Sequence, residues 1–414
     1  MARMLARHIT TRLLDALADR PAVVVSGGRQ TGKSTLVTRL LAEQHPARYL
    51  TLDDADILAA ATADPAGFLG AFAGPVIIDE VQRAPALFTA LKASIDRDRQ
   101  PGRYLLTGSA NALLLPSLAE ALAGRMEVIT LWPLSQGEID ERPDTFIDAM
   151  FAEPAALRDV PGEPRDELIE RVARGGFPEA VLTMTAGRRA DWYRSYVGAV
   201  LLREVRSLAD IDGLAVLPSL LSLLAARTAS LLNVSELSRT SRVPVTTLQR
   251  YLALLQATFV VQTVPAWSAN LGKRISKAPK LMFADTGLCA QLRGLNRARL
   301  LSDPLALGPL LENFVFAELC KQSTWSQTRV RIMHFRSHTR DEVDLVLEDE
   351  VGAIVGVEVK SSSSFDARDL KGMRALAALA GARFHRGVVL YTGPNSLPLG
   401  RNLELQPVSA LWRL

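Results

Sequence analysis

The run Gly27-Gly28-Arg29-Gln30-Thr31-Gly32-Lys33-Ser34, continued by Thr35, has the spacing G-x-x-x-x-G-K-[ST], and its residue types are those that cradle phosphate. Glycine lets the backbone curl so that successive N–H groups point at phosphate oxygens, and a following helix adds its positive end. Lys33 is placed to reach the β- and γ-phosphates of ATP, and Ser34 to offer its hydroxyl to Mg²⁺. A second pair, Asp79-Glu80, closes the apolar run Val76-Ile77-Ile78. There Asp79 would hold Mg²⁺ through water and Glu80 would activate the attacking water, which points to hydrolysis beyond binding. Thr107 and Ser109 end another apolar run; they either face the γ-phosphate or only form the turn that continues through Ala110 and Asn111. Arg125, behind a helical stretch at 118–123, and Arg83, behind Glu80, are placed to act as arginine fingers or to sit as solvated charges.

These groups need a frame. Ile9, Leu13, Leu14 and Leu17 recur at helical spacing up to Arg20-Pro21, and Ala22-Val23-Val24-Val25 reads as a buried parallel strand. The strand-then-helix setting is what the phosphate loop requires. The stretch 138–165, rich in proline and acids, reads as a surface segment or insertion without chemistry. Helical spacing through Trp192, Tyr193, Tyr196, Val200, Val205 and Leu208 reads as a lid helix, and a boundary follows near Ile211-Asp212-Gly213.

Together, the loop, the Val76–Glu80 strand, the Leu105–Asn111 strand, the Leu122–Arg125 segment and Gly175-Gly176-Phe177-Pro178-Glu179 resemble a prokaryotic group of AAA+-type ATPases. Members of that group carry a C-terminal domain of unknown function, parts of which are similar to restriction endonucleases. The resemblance spans nearly the whole chain. It implies an AAA+ core over residues 1–211, ATP hydrolysis, and homo-oligomerisation, in a ring or otherwise.

From Leu214 three short helices are expected, at 217–227, 234–239 and 244–255, with Asn233 and Pro244 as start signals and helix-turn-helix spacing. Two strands around Phe259-Val260-Val261 and Lys280-Leu281-Met282-Phe283 would flank a basic wing, making residues 212–290 a winged helix. Eight basic residues against two acidic ones fall between Ala215 and Asp285, in a chain whose 48 basic and 44 acidic residues leave only +4. DNA is the expected partner, read by Thr246, Thr247, Gln249 and Arg250 with Lys273, Arg274 and Lys277 on phosphates. The same module could equally serve a protein partner.

In residues 291–414 a helix carries Glu312, a strand at 343–347 carries Asp344, and a strand at 354–360 carries Glu358 and Lys360 on one face. Acids at a strand end hold Mg²⁺, and a lysine beside them helps activate water on a phosphodiester. The order Glu312, Asp344, Glu358-x-Lys360 resembles the PD-(D/E)XK nuclease superfamily, with Val343 where a proline commonly stands. That resemblance implies either a metal-dependent nuclease or a nuclease-like fold kept for binding or assembly. The expected fold is thus α/β: a parallel-sheet P-loop domain, a winged helix and a restriction-endonuclease-like domain.

Composition excludes other classes. Hydrophobic residues at 48% and charged ones at 22% suit a globular chain and not a disordered one. Two cysteines give no disulfide framework. Arg3, Arg7, Arg12, Asp15 and Asp19 interrupt the apolar residues near the start, and the uncharged run 251–272 contains Pro265 and three Gln or Asn, so a cytoplasmic protein without a membrane segment is expected.

Overall fold

The computed structural model describes residues 4–109, 124–153, 159–182, 184–201, 205, 216–270, 272, 274 and 277–414. Five parallel strands, β1 (Ala22–Ser26), β2 (Arg48–Thr51), β3 (Val76–Asp79), β4 (Tyr104–Gly108) and β5 (Met126–Thr130), form one sheet in the order β2-β3-β4-β1-β5. Their continuous apolar runs follow from burial on both faces. Val23, Val25, Ile77 and Leu105 pack with Leu13 and Leu17 of the helix Thr10–Asp19. Val24, Ile78 and Leu106 meet Leu87, Leu91 and Ile95 of the helix Ala86–Arg97. Register sets Ser26 beside Gly108, and Val76 beside Tyr104, so β1, β3 and β4 finish together at one edge.

Three helices, Leu217–Ala226, Val234–Ser241 and Val245–Ala257, follow in a middle unit, close to the expected bounds. They pack on a small antiparallel sheet ordered β6-β8-β7, made of β6 (Ser230–Leu231), β7 (Val261–Val264) and β8 (Lys280–Phe283). Asn233 caps the second helix by accepting from Glu236 N at 3.0 Å. The boundary expected at 211–213 lies outside the described residues.

The last unit is a six-stranded mixed sheet, ordered β13-β14-β12-β11-β10-β9. Here β9 (Val330–Arg336), β10 (Glu342–Asp349) and β11 (Ile354–Lys360) are antiparallel, while β11, β12 (Phe384–Tyr391) and β14 (Leu403–Pro407) are parallel, with β13 (Leu397–Gly400) at the edge. The helix Pro304–Gln322 covers Val355 and Val357, and the crossover helix Lys371–Ala380 covers Ile354 and Val389 on the other face. That second helix starts in contact with β10: a Cβ at Gly372 would lie 1.7 Å from Glu342 O, so only glycine fits.

One expectation is corrected. The 138–165 stretch is not a bare surface segment. Glu138 and Asp144 are buried, and Phe146, Ile147 and Met150 enter an apolar core that runs on to Trp412. Glu138 accepts from Arg7 and Asp144 from Ser135, so these two acids face buried donors instead of solvent. The β7–β8 connection, where a wing is expected, starts against β9. Trp267 is fully buried, its backbone N–H donates to His334 O at 2.6 Å, and His334 N donates to Pro265 O at 3.0 Å, which seats residues 265–267 along β9.

Burial and nearby Lys280 pull the His334 imidazole down to about 4. A depressed imidazole contributes stability that is intact above the unfolded value of about 6.5 and is lost as pH falls towards 4. The melting temperature should therefore drop more steeply between pH 7 and pH 5 in the wild type than in His334→Gln, which keeps a donor for Ala278 O.

Candidate functional site

The phosphate loop leaves β1 at Ser26 and owes its path to three positions. A Cβ at Gly27 would lie 2.3 Å from Leu131 O, while Gln30 and Gly32 take left-handed φ values of 63° and 96°. Lys33 is buried, and its ammonium donates to Gly27 O at 2.9 Å and Gly28 O at 3.0 Å. Gln30, Ser34 and Thr35 are exposed at the loop's open side, and Arg29 is half-buried, its carbonyl 3.4 Å from the Tyr196 hydroxyl.

Across the sheet edge, Ser34 Oγ donates to Asp79 Oδ2 at 2.9 Å. Asp79 also accepts from the Tyr49 hydroxyl at 2.7 Å and from the Thr107 hydroxyl. Burial and Asp79 hold the Tyr49 hydroxyl well above its ordinary range, so it stays a donor. The adjoining Ser34 and Asp79 oxygens suit the direct and water-mediated shell of one Mg²⁺. Glu80 takes a left-handed φ of 57°, its N–H donating to Thr107 Oγ1 at 3.2 Å. Gln82 donates to the Glu80 carboxylate and, at 3.0 Å, to Ser109 Oγ, which links the expected general base to the Ser109 turn. Thr107 and Ser109 are thus wired to the two acids.

Three contributors carry no local sequence signal. Tyr49 and Gln82 are two. The third is Arg7, buried, whose guanidinium donates to Thr31 O at 2.9 Å, Trp132 O at 2.7 Å and Glu138 Oε1 at 3.0 Å. Arg7, Gly32 and Thr35 also line a cavity of about 390 Å³ with Met4, Leu134 and Pro178, a size and apolarity suited to a flat heterocycle beside the phosphates.

Arg125 pairs with Asp96 at 2.6 Å and 3.0 Å and stands just before β5, whose Met126 is level with Ala22. It is at the opposite end of the sheet from the loop of its own chain, too far to reach that loop's phosphates. Arg83 is an exposed partner of Asp53 at 2.5 Å. The 118–123 stretch, Ala110 and Asn111 lie outside the described residues.

Thr246, Gln249 and Arg250 are exposed on the third helix and Thr247 is half-buried. Two of the three expected wing cations are placed against the C-terminal unit. Arg274 is bidentate to Glu348 at 2.5 Å and 2.8 Å, Lys277 donates to Arg336 O at 3.0 Å, and Lys273 lies outside the described residues. Arg274 is therefore engaged within the chain and not offered to phosphate.

Glu312, Asp344 and Glu358 do converge at one end of β10 and β11, but around an ammonium. Lys280 Nζ lies 2.8 Å from Glu312, 3.0 Å from Glu342 and 3.4 Å from Asp344. Burial alone would lower Lys280, but the carboxylates outweigh it and raise the ammonium, while burial pushes Glu312 up and Glu358 to about 8. Asp344 accepts from Val359 N at 2.9 Å, and Lys360 pairs with Glu358 at 3.0 Å and Asp369 at 3.3 Å. Among the described residues no three acidic, histidine or cysteine side chains are arranged to hold a metal.

An AAA domain matches residues 19–140, and two domains of unknown function, DUF8612 and DUF4143, match residues 165–299 and 307–411. The uncharacterized protein Rv2008c of Mycobacterium tuberculosis is 30% identical over 405 residues, covering 98% of this chain and 84% of that one. Mb2031c of Mycobacterium bovis matches equally. The chain belongs to this family of AAA-domain proteins. A Haemophilus influenzae relative is 26% identical over 59% of this chain and 57% of its own length. Among solved structures, the Walker-type ATPase PABY2304 of Pyrococcus abyssi aligns at 16% identity and TM-score 0.42, over 70% of this AAA protein and 96% of that chain. A RuvB variant of Thermotoga maritima aligns at 18% identity and TM-score 0.29, over 63% and 90%.

An AAA domain implies nucleotide binding, typically with Mg²⁺. No helix among the described residues is long and apolar enough to cross a membrane. In this AAA protein, Lys33→Ala should weaken ATP binding by about tenfold or more, measured by calorimetry, because it removes a charge-assisted hydrogen bond. Glu80→Gln should keep ATP affinity while slowing phosphate release by about a hundredfold, as loss of a general base does.

Proposed function

We propose that this AAA protein hydrolyses ATP with Mg²⁺ and passes the state of its phosphate loop to a DNA-binding winged helix. The observation that carries this is a direct contact between loop and middle unit. A Cβ at Gly28 would lie 3.6 Å from Phe259 Cβ and 3.7 Å from Thr258 O, at the end of the third helix. The Trp132 and Phe259 rings meet edge-to-face at 5.5 Å. Phosphate bound on the loop's N–H groups would press on the helix that exposes Thr246, Gln249 and Arg250. The element order helix, strand, two helices, two strands supports the winged-helix reading.

Duplex affinity, followed by fluorescence anisotropy, should fall linearly with log salt concentration, and Arg250→Ala should lower that slope by about one. ATP with Glu80→Gln, which holds the bound state, should shift the affinity. Salt-independent affinity, or affinity unchanged in Arg250→Ala, would remove DNA from the reading.

Homo-oligomerisation is the second part of the proposal. Arg125 stands at the end of the sheet away from its own loop, so a finger role for it would fall on a neighbour's nucleotide. Arg125→Ala and Lys33→Ala should each be inactive alone, yet a mixture should regain ATPase activity, since each supplies what the other lacks. Failure of every mixing ratio to regain activity would exclude a finger acting between copies.

The C-terminal unit reads as nuclease-like in fold, supported by its order of helix, three strands, helix and strand. In a cutting version Glu312, Asp344 and Glu358 would hold Mg²⁺ with Lys360 beside the water. The Lys280 ammonium among these acids favours the other version, a domain kept for binding or assembly. Mg²⁺- or Mn²⁺-dependent cleavage of DNA or RNA that Asp344→Ala and Lys360→Ala abolish would reverse that choice.

A further inference from the structure

Lys280 opens β8 in the middle unit, yet its side chain ends in the C-terminal unit at 1% exposure. Its three carboxylates come from two elements there, Glu312 from the helix Pro304–Gln322 and Glu342 and Asp344 from β10. The separations of 2.8, 3.0 and 3.4 Å are those of ammonium–carboxylate pairs. A divalent cation would ask for six or more oxygens at about 2.0–2.6 Å. Much of the remaining capacity is also committed, although Glu358 Oε2 is buried without a hydrogen-bond partner. Asp344 Oδ2 takes the Val359 N–H, and Glu358 and Lys360 hold each other. Lysine also suits this position better than arginine would, because a tetrahedral ammonium can face three separate acceptors, whereas the planar fork of a guanidinium suits one carboxylate at a time. With eight lysines in the chain, one is spent here.

We infer that the Lys280 ammonium fills the cation position of this cluster in place of a divalent metal, and that the carboxylates clamp the middle unit onto the C-terminal sheet. The inference rests on the reading of the C-terminal unit as one that does not cut. It goes further by naming the occupant and what the occupant holds together. The buried ammonium and the three carboxylates around it compensate one another, so removing the cation leaves carboxylates without one. Neutralising a carboxylate should then repair part of the damage.

The test uses the full chain without nucleotide. Mn²⁺ titrated into wild type and into Glu312→Gln, followed by calorimetry, should give coinciding isotherms, since the cluster contributes no metal site and any weak binding at Ser34 and Asp79 is common to both. Lys280→Met keeps the stem and removes the charge. It should melt at least about 5 °C below the wild type, with part of the loss regained in Lys280→Met/Glu312→Gln. Mn²⁺ binding present in the wild type and absent in Glu312→Gln would overturn the inference. Unchanged melting of Lys280→Met would overturn the clamp while leaving the non-cutting reading intact, and cleavage by the wild type would remove that reading itself. If Lys280→Met fails to fold, the paired wild-type and Glu312→Gln titrations still decide the occupant.

Discussion

A charge removed from water must keep its partner, and this chain uses that constraint at each junction between its regions. Arg7 ties the phosphate loop to Glu138. Lys321 donates to Leu134 O at 3.0 Å and to Glu318, and Glu318 in turn accepts from Gln136 N at 2.8 Å, which joins the C-terminal helix to the segment behind β5. Asp285 accepts from Gly176 N at 2.7 Å, Leu288 N at 2.8 Å and the Tyr193 hydroxyl at 3.0 Å, so one buried carboxylate holds the Gly175-Gly176 bend and caps a helix of the middle unit. Lys280 completes the set. None of these partners can leave alone without stranding a charge or donor in low dielectric, at a cost of several kcal/mol.

The nucleotide site inherits its geometry from that arrangement. Parallel register brings the ends of β1, β3 and β4 together, but the loop is also gripped from two sides. Arg7 holds the Thr31 carbonyl, and Phe259, itself at a left-handed φ of 58°, backs Gly28. A phosphate that reorganises the loop N–H groups therefore acts on a segment whose two supports lead to different regions. In the proposed function this is the physical route between ATP and the third helix.

Much of the frame was legible because it rests on local patterns. Apolar runs bounded by Pro or Gly became β1, β3, β4 and β11, and cap residues such as Asn233 marked helix starts. The phosphate loop and Asp79-Glu80 were legible because their chemistry demands a fixed spacing. Arg7, Tyr49 and Gln82 were not, since each works through a partner brought near only by the sheet. The charge count misled for a related reason. Eight basic residues in the middle unit suggested a cationic face, yet counting ignores direction, and Arg274 and Lys280 point into carboxylates of the neighbouring unit. Glu138 and Asp144 misled likewise, the composition of 138–165 suggesting solvent where the partners of these two lie inside.

The Arg7–Glu138 pair spans 131 residues of chain. During synthesis, β1 and the phosphate loop emerge long before Glu138 and the Trp132 carbonyl that complete the brace on Arg7. Until then two of the three acceptors of Arg7 are missing, and β1 can gain β4 and β5 on either side only once residues 108 and 130 have been made. The order of biosynthesis thus withholds a finished nucleotide site from the nascent chain until its inner strands and the segment beyond them have been made.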